Sequence, residues 1–132
     1  MDIIKLGQKF SKIFLVSEEM IFGFAEYTGD RNPIHVDEAY ASKTFFKKRI
    51  AHGFLIGSFI SNVLGNDFPG NGTVYLSQSM NFKKPVFIGD VITVHVMVIE
   101  ILKKNRIKIT TKCINQFDEE VIDGEAIVIP PQ

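Results

Sequence analysis

The chain has 132 residues, 45% of them hydrophobic and 12 of them phenylalanine, which is enough apolar material to pack one domain and excludes a disordered chain. Fifteen basic residues balance 15 acidic ones, which removes any general electrostatic pull toward nucleic acid or an anionic membrane surface. The single Cys113 cannot close an internal disulfide, and the opening MDIIKLGQKF lacks a basic segment followed by a long apolar run, so a cytoplasmic protein without a signal peptide is expected.

Positions 3–16 read as an extended, partly alternating stretch. Ser17, followed by Glu18 and Glu19, has the form of a helix cap with acids in the first turn. Ile21, Phe24, Ala25 and Thr28 then share one face, which predicts a helix over 18–28, with Gly29 suited to the position just past its end. Pro33 turns Asn32 away from helical geometry, so the DRNP segment (30–33) is expected to be a loop, and Asp37 to cap a short helix over about 38–43. The segment 51–66, AHGFLIGSFISNVLGN, contains no Asp, Glu, Lys or Arg and is apolar nearly all round, which predicts a buried helix. It is too short and too rich in Gly, Ser and Asn to span a membrane. Gly53, Gly57 and Ser61 recur every four residues along it, so something must approach that small-residue stripe closely. After a loop over 66–72, strands are predicted over 73–83, 91–102, 105–116 and about 120–129. Short separators between them favour antiparallel pairing. A charge-free helix followed by four consecutive strands implies an α+β arrangement in which a curved antiparallel sheet wraps a long central helix, the hot-dog fold. The strand over 91–102 is apolar on both faces, so a partner subunit is a natural cover for its outer side.

Three stretches carry a resemblance to a known family: YTGDRNPIHVD at 27–37, AHGFL at 51–55 and GTVYLSQSMNFKKPVFIGD at 72–90. They resemble the MaoC-like dehydratases, which include the R-specific enoyl-CoA hydratases (hydratase 2). The likeness spans residues 8 to 129 and treats 1–132 as one MaoC-like hot-dog domain. Its demanding part is Gly-Asp-x-Asn-Pro-x-His, with no departure at the matched positions. The resemblance implies reversible addition of water across a trans-2-enoyl-CoA to give the (R)-3-hydroxyacyl-CoA, as in fatty acid metabolism. It further implies that a short overhanging helical segment carries the catalytic loop, and that subunits pair into a homodimer or a dimer-based oligomer. Asp30 and His35 correspond to the family's catalytic acid and imidazole, and Gly53 to the glycine after the second histidine.

The chemistry suits those residues. Hydration of a conjugated thioester needs a base to deprotonate water aimed at C3, a proton for C2, and stabilisation of charge on the thioester oxygen. A carboxylate and an imidazole, titrating near ~3.9 and ~6.5 when free, supply the proton work. Gly53 opens a helix whose first N–H groups are unpaired, and it lets an oxygen come close. Which of Asp30 and His35 moves which proton stays open. Asn32, His52, Ser61, Lys83 and Lys84 are candidate substrate contacts: Asn32 to orient the loop, Ser61 to line an acyl pocket, and the lysines to meet coenzyme A phosphates. Lys47, Lys48 and Arg49 share that last possibility. No metal ligand spacing is present, and no cofactor is expected, coenzyme A being part of the substrate. The carrier is either coenzyme A or acyl carrier protein. The alternatives are a hot-dog acyl-CoA thioesterase, disfavoured by the missing carboxylate on 51–66, and a non-catalytic acyl-thioester-binding subunit.

Overall fold

A computed structural model describes residues 3–132. Strand β1 (Lys9–Leu15) leads into helix α1 (Glu18–Thr28), the short helices α2 (Pro33–Val36) and α3 (Glu38–Ser42), and the long helix α4 (Gly53–Asn66). Strands β2 (Val74–Gln78), β3 (Asn81–Phe82), β4 (Val91–Leu102), β5 (Arg106–Ile114) and β6 (Glu120–Ile129) complete the chain. All pair antiparallel in one sheet of order β1-β4-β5-β6-β2, with β3 also on β6. The α+β hot-dog arrangement expected from the sequence is therefore present. Strand β2 pairs with β6, the last strand, and not with β3 or β4, which come next in the chain.

The core forms because inward positions line up across the sheet. Val94, Cys113 and Ile122 form one row, Val98, Ile109 and Ala126 another, and all are buried. Against these rows α4 packs Leu55, Ile56, Phe59, Ile60, Val63 and Leu64. Register shifts between Val98 and Glu100 and between Cys113 and Ile114 bend the sheet around the helix. Burial pushes the Cys113 thiol up to about 12, so it behaves as a small core hydrophobe.

The structure differs from the sequence reading in three places. The expected strand over 73–83 is broken at Ser79 and Met80, where the chain passes so close to Gly124 that any Cβ there would lie 1.8 Å from the Ser79 carbonyl oxygen. Pro33 begins a helical turn where a plain loop was expected. Proline bars helical geometry from the residue before it, yet its fixed φ and missing N–H suit the first helical position. Finally, α4 is covered on one side only within a single chain: Phe54, Ser58, Ser61 and Asn62 are exposed, because the sheet curves around the opposite face.

The overhang is pinned by capping and by one arginine. Ser17 accepts the Met20 N–H at 3.2 Å, Asp37 accepts the Tyr40 N–H at 3.0 Å, and Gly29 ends α1 at φ 79°. Arg49 donates to Glu38 at 2.8 Å and to Glu18 at 3.2 Å, tying α1 to α3 across the returning chain. Hydrogen bonding to Glu38 raises its pKa further. The guanidinium is thus committed inside the overhang. The returning segment joins the turn before β4 through Ala51 N–H to Val86 C=O at 2.7 Å. No helix among the described residues is long and apolar enough to cross a membrane.

Candidate active site

A cavity of about 510 Å³ opens where the overhang, the start of α4 and the β3–β4 connection meet. Asp30, His35, His52, Gly53, Lys83 and Lys84 all line it, with Phe46, Ile50, Phe54, Phe82 and Val86 forming much of its apolar wall. A carboxylate oxygen of Asp30 and one ring nitrogen from each of His35 and His52 lie within 4.8 Å of one another.

Local structure explains the grouping. Gly29 ends α1 and reverses the chain, Asp30 Oδ1 accepts the Asn32 N–H at 3.4 Å, and Asn32 Oδ1 accepts the Ile34 N–H at 3.2 Å. The turn reading of GDRNP and the site reading therefore coexist: one oxygen of Asp30 shapes the bend and the other is left for the cavity. α2 then sets His35 beside it.

The imidazoles are orientated by carbonyls. His35 Nδ1–H donates to the Ile50 C=O at 2.7 Å, which leaves Nε2 with its lone pair and no partner among the described residues. His52 Nε2–H donates to the Asp30 C=O at 2.9 Å. The two rings stack with centroids 3.9 Å apart and planes at 29°. Burial lowers the His35 pKa below its ordinary 6.5. The Ile50 hydrogen bond pulls it back up, His52 lowers it and Asp30 raises it. At neutral pH His35 is a hydrogen-bond acceptor at Nε2.

The start of α4 lines the same cavity, directly after His52. The Leu55 and Ile56 N–H groups bond to the His52 C=O, while those of Gly53 and Phe54 have no partner among the described residues. These free donors lie at the positive end of a 14-residue helix. The small-residue stripe is met by side chains: a Cβ on Gly53 would lie 2.7 Å from the Phe82 ring, and one on Gly57 2.8 Å from Met80 Sδ.

A family model described as MaoC like domain matches residues 3–119. The chain belongs to the MaoC-like family. It is 48% identical over 118 residues to a 3-hydroxybutyryl-CoA dehydratase of Methylorubrum extorquens, covering 89% of this chain and 74% of that one. It is 46% identical over 129 residues to an (R)-specific enoyl-CoA hydratase of Rhodospirillum rubrum, covering 97% and 89%. Its fold superposes on the R-hydratase PhaJ1 of Pseudomonas aeruginosa with a TM-score of 0.94 at 43% identity, covering 98% of this chain and 83% of that one.

Within this MaoC-like chain, six of the eight candidate residues line the cavity: Asp30, His35, His52, Gly53, Lys83 and Lys84. Asn32 spends its side-chain oxygen on capping α2. Ser61 is exposed on the open face of α4 and does not line the cavity of the single chain. Lys83 is paired with Glu120 at 3.2 Å and Lys84 with Glu119 at 2.7 Å. His95 bonds to Ser11 Oγ on the outer sheet surface, far from this chemistry. The Ile50 carbonyl, which fixes the His35 tautomer, is not legible in the sequence, because a backbone group leaves no residue-type signal. The aromatic wall of Phe46 and Phe82 was also missed.

Proposed function

We propose that this chain catalyses reversible hydration of a trans-2-enoyl-CoA to the (R)-3-hydroxyacyl-CoA, a hydro-lyase reaction running equally as a 3-hydroxyacyl-CoA dehydratase. The observation that carries the reading is the shared cavity itself: a carboxylate, a neutral imidazole acceptor and the unpaired N–H donors of a helix start all belong to its lining. The hydratase and dehydratase names of relatives at 46–48% identity support it.

Asp30 and the His35 Nε2 lone pair both accept hydrogen bonds, so a water between them donates both its protons and turns its own lone pair toward C3. As its oxygen bonds to C3, one O–H bond breaks and the proton passes to one of these two acceptors, Asp30 or His35 Nε2. The C2–C3 π electrons shift toward C1, and negative charge builds on the thioester oxygen. The Gly53 N–H and the α4 dipole stabilise that charge; one such donor is worth about 10²–10³ in rate. C2 then takes a proton from the Asp30–His35 pair, which returns the pair to its starting protonation state, so oxygen and hydrogen add to one face. Dehydration is the reverse. The apolar wall receives the acyl chain, and Lys83 and Lys84 at the rim meet the phosphates of coenzyme A.

A homodimer completes the assembly. The exposed face of α4 and the exposed apolar residues Val74, Tyr75 and Leu76 on edge strand β2 are continuous candidates for burial against a second copy. Light scattering should return twice the mass of the chain.

Mixing the enzyme with crotonyl-CoA tests the function. Loss of enoyl absorbance with formation of (R)-3-hydroxybutyryl-CoA is expected. Release of free coenzyme A thiol with the enoyl group intact would mark a thioesterase instead, and binding without turnover would mark a non-catalytic subunit.

A further inference from the structure

We propose that His52 is a positioning residue for the Asp30–His35 pair, acting on both members through one ring: its Nε2–H anchors the main chain of Asp30, and its face supports the imidazole of His35. The proposal rests on the hydratase reading above and adds a residue that touches neither water nor substrate.

His52 occupies the cap position of α4, where a side chain normally accepts a helix N–H, yet it makes no such bond. It is 2% exposed. Its Nε2–H instead reaches back 22 residues to the Asp30 carbonyl at 2.9 Å. The His35 ring lies against one part of it at 3.9 Å, and Phe24 of α1 packs at 4.8 Å with planes at 51°. Its Nδ1 is buried without a partner. An orphaned buried acceptor is unfavourable. An apolar ring would fill the same space without it, so the histidine is accounted for by the one thing an apolar ring lacks, the Nε2–H donor on Asp30.

The consequence is a rigid triangle. The residue that anchors Asp30 and backs His35 is followed directly by Gly53, which lines the cavity and whose N–H has no partner among the described residues. The groups that hold water and the donor that stabilises charge are thereby tied to a single helix start. The charged and titratable groups facing the pair are Asp30 from the α1–α2 turn and Lys83 and Lys84 from the β3–β4 connection. Loss of the His52 ring removes one influence that lowers the His35 pKa.

Two substitutions separate the contacts. His52→Gln keeps a donor near the Nε2 position and loses the ring; His52→Phe keeps the ring and loses the donor. Each is expected to lower kcat on crotonyl-CoA by about 10- to 100-fold, with KM changed by less than about threefold. In both, the NMR titration of His35 should move up, read against His95 on the far surface as an internal standard. Wild-type kcat in both variants would overturn the proposal. So would kcat losses that merely track a fall in folded protein, with the His35 titration unmoved. If the wild-type chain fails to hydrate crotonyl-CoA, the hydratase reading falls. The His35 titration in the same three proteins then still decides the positioning claim, upheld if it moves and overturned if it does not.

Discussion

Replacing His35 with Asn isolates the imidazole's chemistry from its structural role. The Asn amide sits where Nδ1 sits in histidine, so it can keep the 2.7 Å hydrogen bond to the Ile50 carbonyl. What disappears is Nε2, the acceptor for water. A positioned proton-transfer group contributes about 10²–10⁴ in rate, or roughly 2.7–5.5 kcal/mol of barrier. The structural loss is smaller. The stacked contact on His52 goes, worth about 0.5–1.5 kcal/mol for a ring pair, and removal of a desolvated ring offsets part of it. For a chain of this size that is a fall in Tm of roughly 2–6 °C. The assay pairs the initial rate of enoyl absorbance loss on crotonyl-CoA with thermal unfolding by circular dichroism. A fall of at least 100-fold in kcat with a folded protein is expected. A variant within tenfold of wild type would refute the assignment of Nε2 as a water acceptor.

Other outcomes follow from the same geometry. His35 is held below 6.5, and its neutral form is the active one, so the acid limb of kcat/KM should fall below pH 6.5; a limb above 6.5 would contradict this. The same depression means the unfolded chain takes up this proton first as pH drops, so His35's contribution to stability is complete above 6.5 and diminishes below it toward the folded value. Arg49→Met should lower stability by about 1–2 kcal/mol in urea unfolding. The arginine side chain is only 10% exposed, but Glu18 and Glu38 are 54% and 64% exposed, and water screens their share; an unchanged midpoint would contradict the pinning role. Changing Lys83 and Lys84 together to Ala should raise KM for crotonyl-CoA about 3- to 10-fold with little change in kcat, an effect that added salt should mimic; an unchanged KM would remove the lysines from coenzyme A binding.

Much of the fold was legible because its signals are local or periodic. The bounds 18–28 follow from a cap and a terminal glycine, and 91–102 from a long apolar run after the Gly89-Asp90 turn, and the structure returns the same limits. Strand pairing was not legible: β2 lies beside β6 because the chain crosses between them, and side-chain periodicity carries no record of which strand lies next to which. The break at Ser79 was invisible for a related reason, since it answers to Gly124, 45 positions away. At the site, GDRNPIH exposed Asp30 and His35 because turn chemistry and proton chemistry need the same short spacing. The bond from His52 Nε2–H to Asp30 was not legible, since its partner is a backbone carbonyl on a distant loop. Ser61 was read along a helical stripe, but the stripe rotates away from the cavity and leaves it on the open face.

The most direct measurement is a crystal structure of the Asp30→Asn variant with crotonyl-CoA bound. The account predicts the thioester oxygen within hydrogen-bond distance of the Gly53 N–H and C3 facing a water on His35 Nε2. An acyl group lying outside the cavity, or one whose C3 points away from His35, would contradict it.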